Sequence, residues 1–108
     1  MATLSTHVLD LDRGKPADGM AVAVYRDGAS APLGSFVTDA DGRVAKLPLD
    51  GVPSTYRIDF AVGRYFAARN VAAFYDVVTI AFRATEPDAH YHVPLLLSPF
   101  GYSTYRGS

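Results

Sequence analysis

The sequence predicts an all-β protein with one short helix, folded as a two-layer sandwich or barrel. Several short segments alternate between apolar and polar side chains, as half-buried strands do. Nine glycines and seven prolines are spread over the 108 residues and separate these segments with turns. Short strands at this spacing, with turn residues between them, are typical of sandwiches and barrels.

Five strands are predicted before the helix. They cover residues 3–10, 20–26, 33–38, 44–47 and 55–62. Gly14 and Pro16 interrupt the chain after the first strand, and Asp39-Ala40-Asp41-Gly42 is a strong turn signal after the third. Arg43 follows that turn directly, and Pro48 is expected to end the fourth strand.

The helix is predicted at about residues 63–70. This stretch is rich in alanine and does not alternate, and Asn70 suits the left-handed backbone that commonly closes a helix. Three more strands are predicted at residues 77–84, 90–97 and 100–105, which makes about eight in all. No repeat or linker interrupts the pattern, so we expect a single domain over residues 1–108.

The charge balance and the absence of cysteine exclude several kinds of partner and site. Ten Lys and Arg residues nearly balance eleven Asp and Glu residues, for a formal net charge of −1. Nucleic acids and anionic membranes are held by a basic surface, so neither is expected as a partner. Disulfides and thiolate metal sites cannot form without cysteine. No signal-like segment or apolar run of about 18 residues is present, so we expect a cytoplasmic protein; an exported protein after processing would look the same.

Polar side chains occur on strand faces where an isolated sandwich would not need them. Alternation places Tyr91, Val93, Leu95 and Leu97 towards the core. The residues predicted on outward faces are Ser5, His7, Leu9, His90, His92, Pro94, Leu96, Ser103 and Tyr105. Imidazoles mixed with proline and leucine indicate a surface that faces a cleft or another subunit.

The last four residues, Tyr105-Arg106-Gly107-Ser108, bring a phenol, a guanidinium, a hydroxyl and a carboxylate to the end of a predicted strand. Chain ends are usually polar and frayed unless they are tied down. Here an alternating run leads into the tetrapeptide without a linker. We therefore predict that the end of the chain forms part of a functional site.

Six segments of the sequence form a joint pattern. They are Thr6-His7-Val8-Leu9-Asp10, Gly14-Lys15-Pro16-Ala17, Thr38-Asp39-Ala40-Asp41-Gly42-Arg43, Tyr65-Phe66-Ala67-Ala68-Arg69, His90-Tyr91-His92-Val93-Pro94-Leu95-Leu96-Leu97-Ser98-Pro99 and the terminal tetrapeptide. Together they resemble the 5-hydroxyisourate hydrolases, the transthyretin-related enzymes of purine catabolism. The resemblance spans essentially the whole chain, and the joint pattern with this tetrapeptide is highly specific.

The resemblance implies a transthyretin-like sandwich of two four-stranded sheets with one short helix, assembled as a homotetramer. Sites would lie at the interface between dimers, along a central channel. The implied reaction is hydrolysis of 5-hydroxyisourate to 2-oxo-4-hydroxy-4-carboxy-5-ureidoimidazoline, with no cofactor or metal.

The resemblance also implies which residues carry the reaction. Carried over position by position, the catalytic set is His7, Arg43, His92 and Ser108. The implied substrate-binding residues are Ser103, Pro94, Leu96, Tyr105, Arg106 and Gly107.

The residue types suit amide hydrolysis by water. Histidine is partly neutral near pH 7, so His7 or His92 could act as the base. The planar guanidinium of Arg43 could offer two parallel donors to the charge that develops on the substrate. Ser108 could hydrogen-bond the substrate or the water, and its carboxylate could orient a histidine or Arg106.

Two other functions remain open at this point. One is a carrier of small aromatic ligands on the same scaffold, because a fold does not fix a function. The other is a zinc hydrolase that uses His7, His90 and His92, since catalytic zinc commonly takes three protein ligands. Taken singly, each histidine could also be a structural strand residue, and Arg43 could be a solvated turn residue.

Overall fold

The computed structural model describes all 108 residues and contains two β-sheets and one short helix. The strands are β1 (Ala2–Asp10), β2 (Lys15–Pro16), β3 (Ala21–Arg26), β4 (Gly34–Val37), β5 (Arg43–Leu49), β6 (Ser54–Phe60), β7 (Val78–Ala84), β8 (His90–Ser98) and β9 (Gly101–Thr104). The helix α1 (Val62–Ala67) lies between β6 and β7 in the chain. The predicted all-β class with one helix is confirmed.

The first sheet carries both ends of the chain. Strand β1 pairs in parallel with β8 along one edge, and β8 pairs with β9 beyond it. The other edge of β1 pairs with β5 over Ala2 to His7 and with β2 at Leu9 and Asp10. Because β2 and β5 use the same edge of β1, they lie end to end. The sheet is thus four strands wide but contains five strands, one more than predicted.

The second sheet is wholly antiparallel, with the strand order β4-β3-β6-β7. The two sheets enclose one core of 21 buried apolar residues. The four residues that alternation assigned to the core side of β8, Tyr91, Val93, Leu95 and Leu97, are all buried in it. The opposite face of the first sheet is therefore its outward face.

Two predicted strand boundaries are wrong for identifiable reasons. Pro48 lies inside β5 opposite Thr3, where it was expected to end the strand. Strand β5 pairs only with β1, and an edge strand tolerates proline because its outer side has no hydrogen-bonding partner. The strand predicted to reach Val62 ends at Phe60, since Val62 begins the helix.

The helix ends at Ala67, three residues before its predicted end, while Asn70 has the left-handed backbone that the sequence predicts. Asn70 has a φ of 59°, and the backbone N–H of Val71 donates to the carbonyl of Phe66 at 3.0 Å. A left-handed residue with a hydrogen bond of this span satisfies the last carbonyls of a helix. Val62, Tyr65 and Phe66 are buried and fix α1 to the sandwich. With six residues, α1 is far too short to cross a membrane, and no other helix is present.

Candidate active site

Strand register brings residues from distant parts of the sequence together on the outward face of the first sheet. The parallel pairing of β1 with β8 sets Ser5 beside His92 and His7 beside Pro94. The antiparallel pairing of β1 with β5 sets Arg43 opposite His7. Side chains of paired residues project from the same face of a sheet. His7, Arg43 and His92, three of the predicted catalytic residues, thus share one face.

A tight turn before β5 fixes the position of Arg43. The Asp39 carboxylate accepts hydrogen bonds from the backbone N–H groups of Asp41 at 2.9 Å and of Arg43 at 3.0 Å. Gly42 has a φ of 74°, and a Cβ there would collide with the carbonyl oxygen of Val8. The backbone N–H of Val8 donates to Gly42 at 2.7 Å. The turn therefore packs directly on β1, and glycine is required there.

Hydroxyl groups on β1 hold the two histidines of β8. Ser5 Oγ lies 2.8 Å from His92 Nδ1 and 2.8 Å from His90 Nε2. Thr3 Oγ1 lies 2.6 Å from His90 Nδ1. The two imidazole rings are nearly parallel, at 18°, with their centroids 6.5 Å apart. His92 Nε2 has no protein partner, so it is the ring nitrogen that is free to meet a ligand.

The environment of His92 favours its neutral form. Burial lowers the pKa of His92 from its ordinary value of 6.5, and the electrostatic influence of Arg43, His7 and His90 lowers it further. The backbone of Ser5 acts in the opposite direction as a hydrogen-bond acceptor and raises it. Burial is the largest effect. A histidine with a lowered pKa is neutral at pH 7 and can accept a proton.

The end of the chain folds back against His92. Gly107 forms an antiparallel bridge with His92, and its N–H donates to the His92 carbonyl at 2.8 Å. A Cβ at Gly107 would lie 2.5 Å from His92 Cδ2, so the tail backbone packs on the imidazole ring. Ser108, the fourth predicted catalytic residue, follows directly. The sequence predicted a fixed tail at a site, and the structure joins that tail to one of the site histidines.

The predicted substrate-binding residues divide into two groups. Pro94 and Leu96 lie on the outward face of β8, and Ser103 on β9 pairs with Leu96. Arg106 does not join them. Its guanidinium carbon lies 4.7 Å from the ring centroid of Tyr91, a residue of the core side.

Arg106 and Tyr105 instead line a cavity of about 230 Å³ at the rim of the sandwich. The cavity runs between β7 and the β9 edge, with Arg83, Tyr91 and Thr104 among its other lining residues. Alternation correctly placed Ser5 on the outward face, but its role in holding two histidines was missed. Only the parallel register of β1 and β8, which a sequence does not display, reveals it.

The three histidines do not form a metal site. No group of three or more His, Cys, Asp or Glu side chains is close enough to hold a metal ion. Both ring nitrogens of His90 have hydrogen-bond partners, Thr3 and Ser5. Neither nitrogen is therefore free to bind a metal ion shared with the other histidines. The geometry therefore does not favour the zinc hydrolase.

Comparisons with known proteins agree on one family. Residues 4–107 match the family model described as HIUase/Transthyretin family. The 5-hydroxyisourate hydrolase of Caulobacter vibrioides is 46% identical over 115 aligned positions, which span all of both chains. The structure of Klebsiella pneumoniae 5-hydroxyisourate hydrolase superposes with a TM-score of 0.87 at 37% identity, covering 98% of this chain and 99% of that one. Sea bream transthyretin in complex with thyroxine has a TM-score of 0.86 at 32% identity, covering 96% and 93%.

Proposed function

The chain belongs to the HIUase/Transthyretin family, and we propose that it hydrolyses 5-hydroxyisourate by means of a histidine-activated water. The single observation that carries this proposal is the convergence of His7, Arg43 and His92 on one sheet face, against the tail that ends in Ser108. The relatives aligned over the full chain are named 5-hydroxyisourate hydrolases. The product would be 2-oxo-4-hydroxy-4-carboxy-5-ureidoimidazoline.

His92 is the base in this mechanism. Its lowered pKa supports the role, because the ring stays neutral at pH 7, and its Nε2 is unpaired. Nε2 takes a proton from water while the water oxygen bonds to the carbonyl carbon of a ring amide. The C–N bond of that amide then breaks, and the leaving nitrogen takes up the proton held on Nε2, which restores the base. His7, on the neighbouring strand, is placed to contact the same substrate.

Arg43 anchors the substrate and stabilises the charge that forms during attack. Negative charge develops on the carbonyl oxygen as the water adds, and a guanidinium offers two parallel donors to adjacent acceptors. The turn that carries Arg43 is tied by two hydrogen bonds to Asp39, which supports a fixed donor position. A fixed donor needs little reorganisation when the charge appears.

Ser108 contributes a hydroxyl to the substrate or to the attacking water. Its neighbour Gly107 is packed on the ring of His92, which supports a place for Ser108 at the same site. Direct attack by the Ser108 hydroxyl is not part of the proposal. A nucleophilic serine needs a base in hydrogen-bonding contact, and the Ser108 hydroxyl makes no such contact with an imidazole.

We further propose that the protein works as a homotetramer, with sites where dimers meet. The outward face of the first sheet carries half-buried Leu9 and Leu96 beside the histidines, on a surface that one chain leaves open. Closing an active site expels water and strengthens the electrostatic interactions inside it. A second copy of this face would provide that closure.

A direct assay tests the proposed activity. We would generate 5-hydroxyisourate from urate with uricase and follow its ultraviolet absorbance with and without the protein, in the presence of a chelator. Rapid decay that depends on the protein is expected, with His92→Ala slowed by about 10²-fold or more, as loss of a general base predicts. Decay at the spontaneous rate would contradict the proposal and favour a carrier, the function that the thyroxine complex of sea bream transthyretin illustrates on this fold.

A further inference from the structure

Four side chains on the outward face of the first sheet are joined by a continuous row of hydrogen bonds, here called the relay. Thr3 Oγ1 contacts His90 Nδ1 at 2.6 Å, His90 Nε2 contacts Ser5 Oγ at 2.8 Å, and Ser5 Oγ contacts His92 Nδ1 at 2.8 Å. His90 is exposed, whereas His92 is half-buried. The relay therefore links the candidate base, His92, to a residue in contact with solvent.

Ser5 has a single hydroxyl proton, so it can donate to only one of the two imidazoles, and the hydrogen bonds of the relay can run in either of two directions. If Ser5 donates to His92 Nδ1, a neutral His92 carries its proton on Nε2 and cannot act there as a base. If Ser5 instead donates to His90 Nε2, then His92 donates from Nδ1 to Ser5 and its Nε2 is bare. In neutral His92, the hydrogen bond at Nδ1 thus determines whether Nε2 carries a proton.

The proposed role of His92 selects the second direction. A base must offer a bare nitrogen to water, and Nε2 is the ring nitrogen of His92 without a protein partner. In a neutral ring Nε2 is bare only when the proton lies on Nδ1, where the Ser5 hydroxyl oxygen can accept it at 2.8 Å.

We infer that Ser5 and His90 are positioning residues that keep the proton of neutral His92 on Nδ1 and leave Nε2 bare to accept a proton from water. This inference rests on the proposed hydrolytic function for the direction of the hydrogen bonds and for its catalytic consequence. The geometry that carries it is the pair of 2.8 Å contacts made by one hydroxyl.

The same contacts give the abstracted proton a route out. When Nε2 takes a proton, Nδ1 passes its own to Ser5 Oγ, and Ser5 passes its hydroxyl proton to His90 Nε2. His90 then releases the proton on Nδ1 towards Thr3 and solvent. His92 then holds its proton on Nε2. When that proton passes to the leaving nitrogen of the substrate, a proton returned from solvent along the same contacts restores Nδ1–H and the bare Nε2.

Other charged groups face His92 from neighbouring elements, and the test must separate them from the relay. They are Arg43 on β5, His7 on β1 and His90 on β8. Ser5 carries no charge. Its removal should therefore change the tautomer of His92 without removing any of these charges.

The tautomer is measured directly by ¹⁵N NMR of the imidazoles in the full protein. At a pH where His92 is neutral, the wild type should show the proton on Nδ1. In Ser5→Ala we expect Nε2–H, the tautomer that free histidine prefers, whereas Ser5→Thr should restore Nδ1–H because it keeps the hydroxyl. Nε2–H in the wild type, or an unchanged tautomer in Ser5→Ala, would overturn the inference. This readout does not need the enzyme to be active.

The catalytic consequence is measured as kcat and KM against pH. Ser5→Ala should lower kcat about ten-fold or more, a part of the ~10²–10⁴-fold that general base catalysis contributes, with KM nearly unchanged. His90→Gln can still accept from Ser5 but cannot pass a proton on, so it should keep the Nδ1–H tautomer and lower kcat. Ser35→Ala, an exposed position on β4, is the control and should match the wild type.

The two proposals fail in different ways. An inactive wild type with His92 as Nδ1–H would contradict the hydrolase and leave the tautomer assignment standing. An active wild type whose kcat is unaffected by Ser5→Ala would contradict the relay and leave the hydrolase standing.

Discussion

His92 combines two properties that a general base needs, a neutral ring at pH 7 and an unpaired nitrogen. Both follow from its neighbours. Burial and the electrostatic influence of Arg43, His7 and His90 disfavour the imidazolium ion, and Ser5 occupies only Nδ1. A base of this kind is active above its pKa and is lost as the pH falls through it.

The first prediction concerns the pH dependence that Arg43 imposes on His92. In the wild type, kcat/KM should fall with decreasing pH only below the ordinary histidine pKa of 6.5, because the pKa of His92 is lowered. Arg43→Gln removes a positive charge, so the pKa of His92 should rise, which NMR titration of its ring protons would measure. Arg26→Gln, an exposed position on the second sheet, is the matched control and should leave that titration unchanged. Titration of wild-type His92 at or above 6.5 would contradict the argument.

The second prediction concerns the glycine of the tail. Gly107→Ala would place a Cβ 2.5 Å from His92 Cδ2, so either the ring or the tail must move. Activity should fall by at least ten-fold, because ~1 Å misplacement of a catalytic group can cost ~10²-fold, while circular dichroism should report an unchanged β-fold. Gly101→Ala is the control, since its Cβ would meet only Ser98 Oγ at 3.6 Å. Equal activities of the two variants would show that packing of the tail on His92 does not matter.

Simple alternation predicted the strand face of several candidate site residues. It correctly placed Ser5, His7 and His92 on outward faces, since a strand reverses its side chains at every residue. It could not predict that Arg106 turns towards Tyr91, because the tail leaves the regular strand after Thr104. The orientation of an irregular terminal residue depends on tertiary packing, which no local pattern encodes.

Among the secondary-structure elements, the turn before β5 has the most direct effect on the site. The third prediction is that Asp39→Ala will loosen Arg43, because the Asp39 carboxylate accepts from the backbone N–H groups of both Asp41 and Arg43. KM should rise several-fold if Arg43 anchors the substrate. Asp39→Asn keeps an acceptor oxygen and should recover most of the loss.

Asp41→Ala is the matched control in the same turn. The Asp41 side chain is exposed and makes no hydrogen bond, so its loss should leave KM unchanged. An Asp39→Ala protein with wild-type KM would show that the backbone hydrogen bonds of the turn do not set the position of Arg43.

The helix contributes to the stability of the sandwich. Tyr65 donates from its hydroxyl to the buried carboxylate of Asp10 at 2.7 Å, joining α1 to the end of β1. Burial and this hydrogen bond both raise the pKa of Tyr65. The fourth prediction is that Tyr65→Phe lowers the free energy of unfolding by about 1–3 kcal/mol, because a buried carboxylate loses a donor. Urea denaturation would measure it.

Tyr75→Phe provides the comparison for that experiment. Tyr75 is exposed and its hydroxyl has no hydrogen-bond partner, so the change should stay within about 0.5 kcal/mol. Both variants should keep wild-type kcat. A Tyr65→Phe protein as stable as Tyr75→Phe would mean that Asp10 is adequately solvated without the phenol.

The sequence predicted most elements of this fold, and the misses have common physical causes. The left-handed residue Asn70 and the turn at Gly42 were predicted because each depends on local backbone conformation. Pro48 was assigned to a strand end because the edge position of β5, which tolerates it, is a tertiary property. The two residues of β2 were missed because they are held only by the end of β1.

For the whole molecule, the important feature is that one sheet brings together candidate site residues from four parts of the chain. Strands β1, β5 and β8 and the terminal tetrapeptide each supply a residue, and only strand register brings them together. That face also carries half-buried Leu9 and Leu96, which a lone chain leaves in contact with water. Apolar side chains beside catalytic groups are expected where a second subunit closes a site.

The fifth prediction is the assembly itself. Light scattering after gel filtration should give the mass of four 11.6 kDa chains. Leu9→Glu would bring like carboxylates together across the proposed interface, so this variant should dissociate into smaller species and lose activity, while circular dichroism retains the β-signal. Val37→Glu, an exposed apolar position on the second sheet, is the control and should remain tetrameric. A fully active protein with the mass of one chain would show that each sheet face forms a complete site alone.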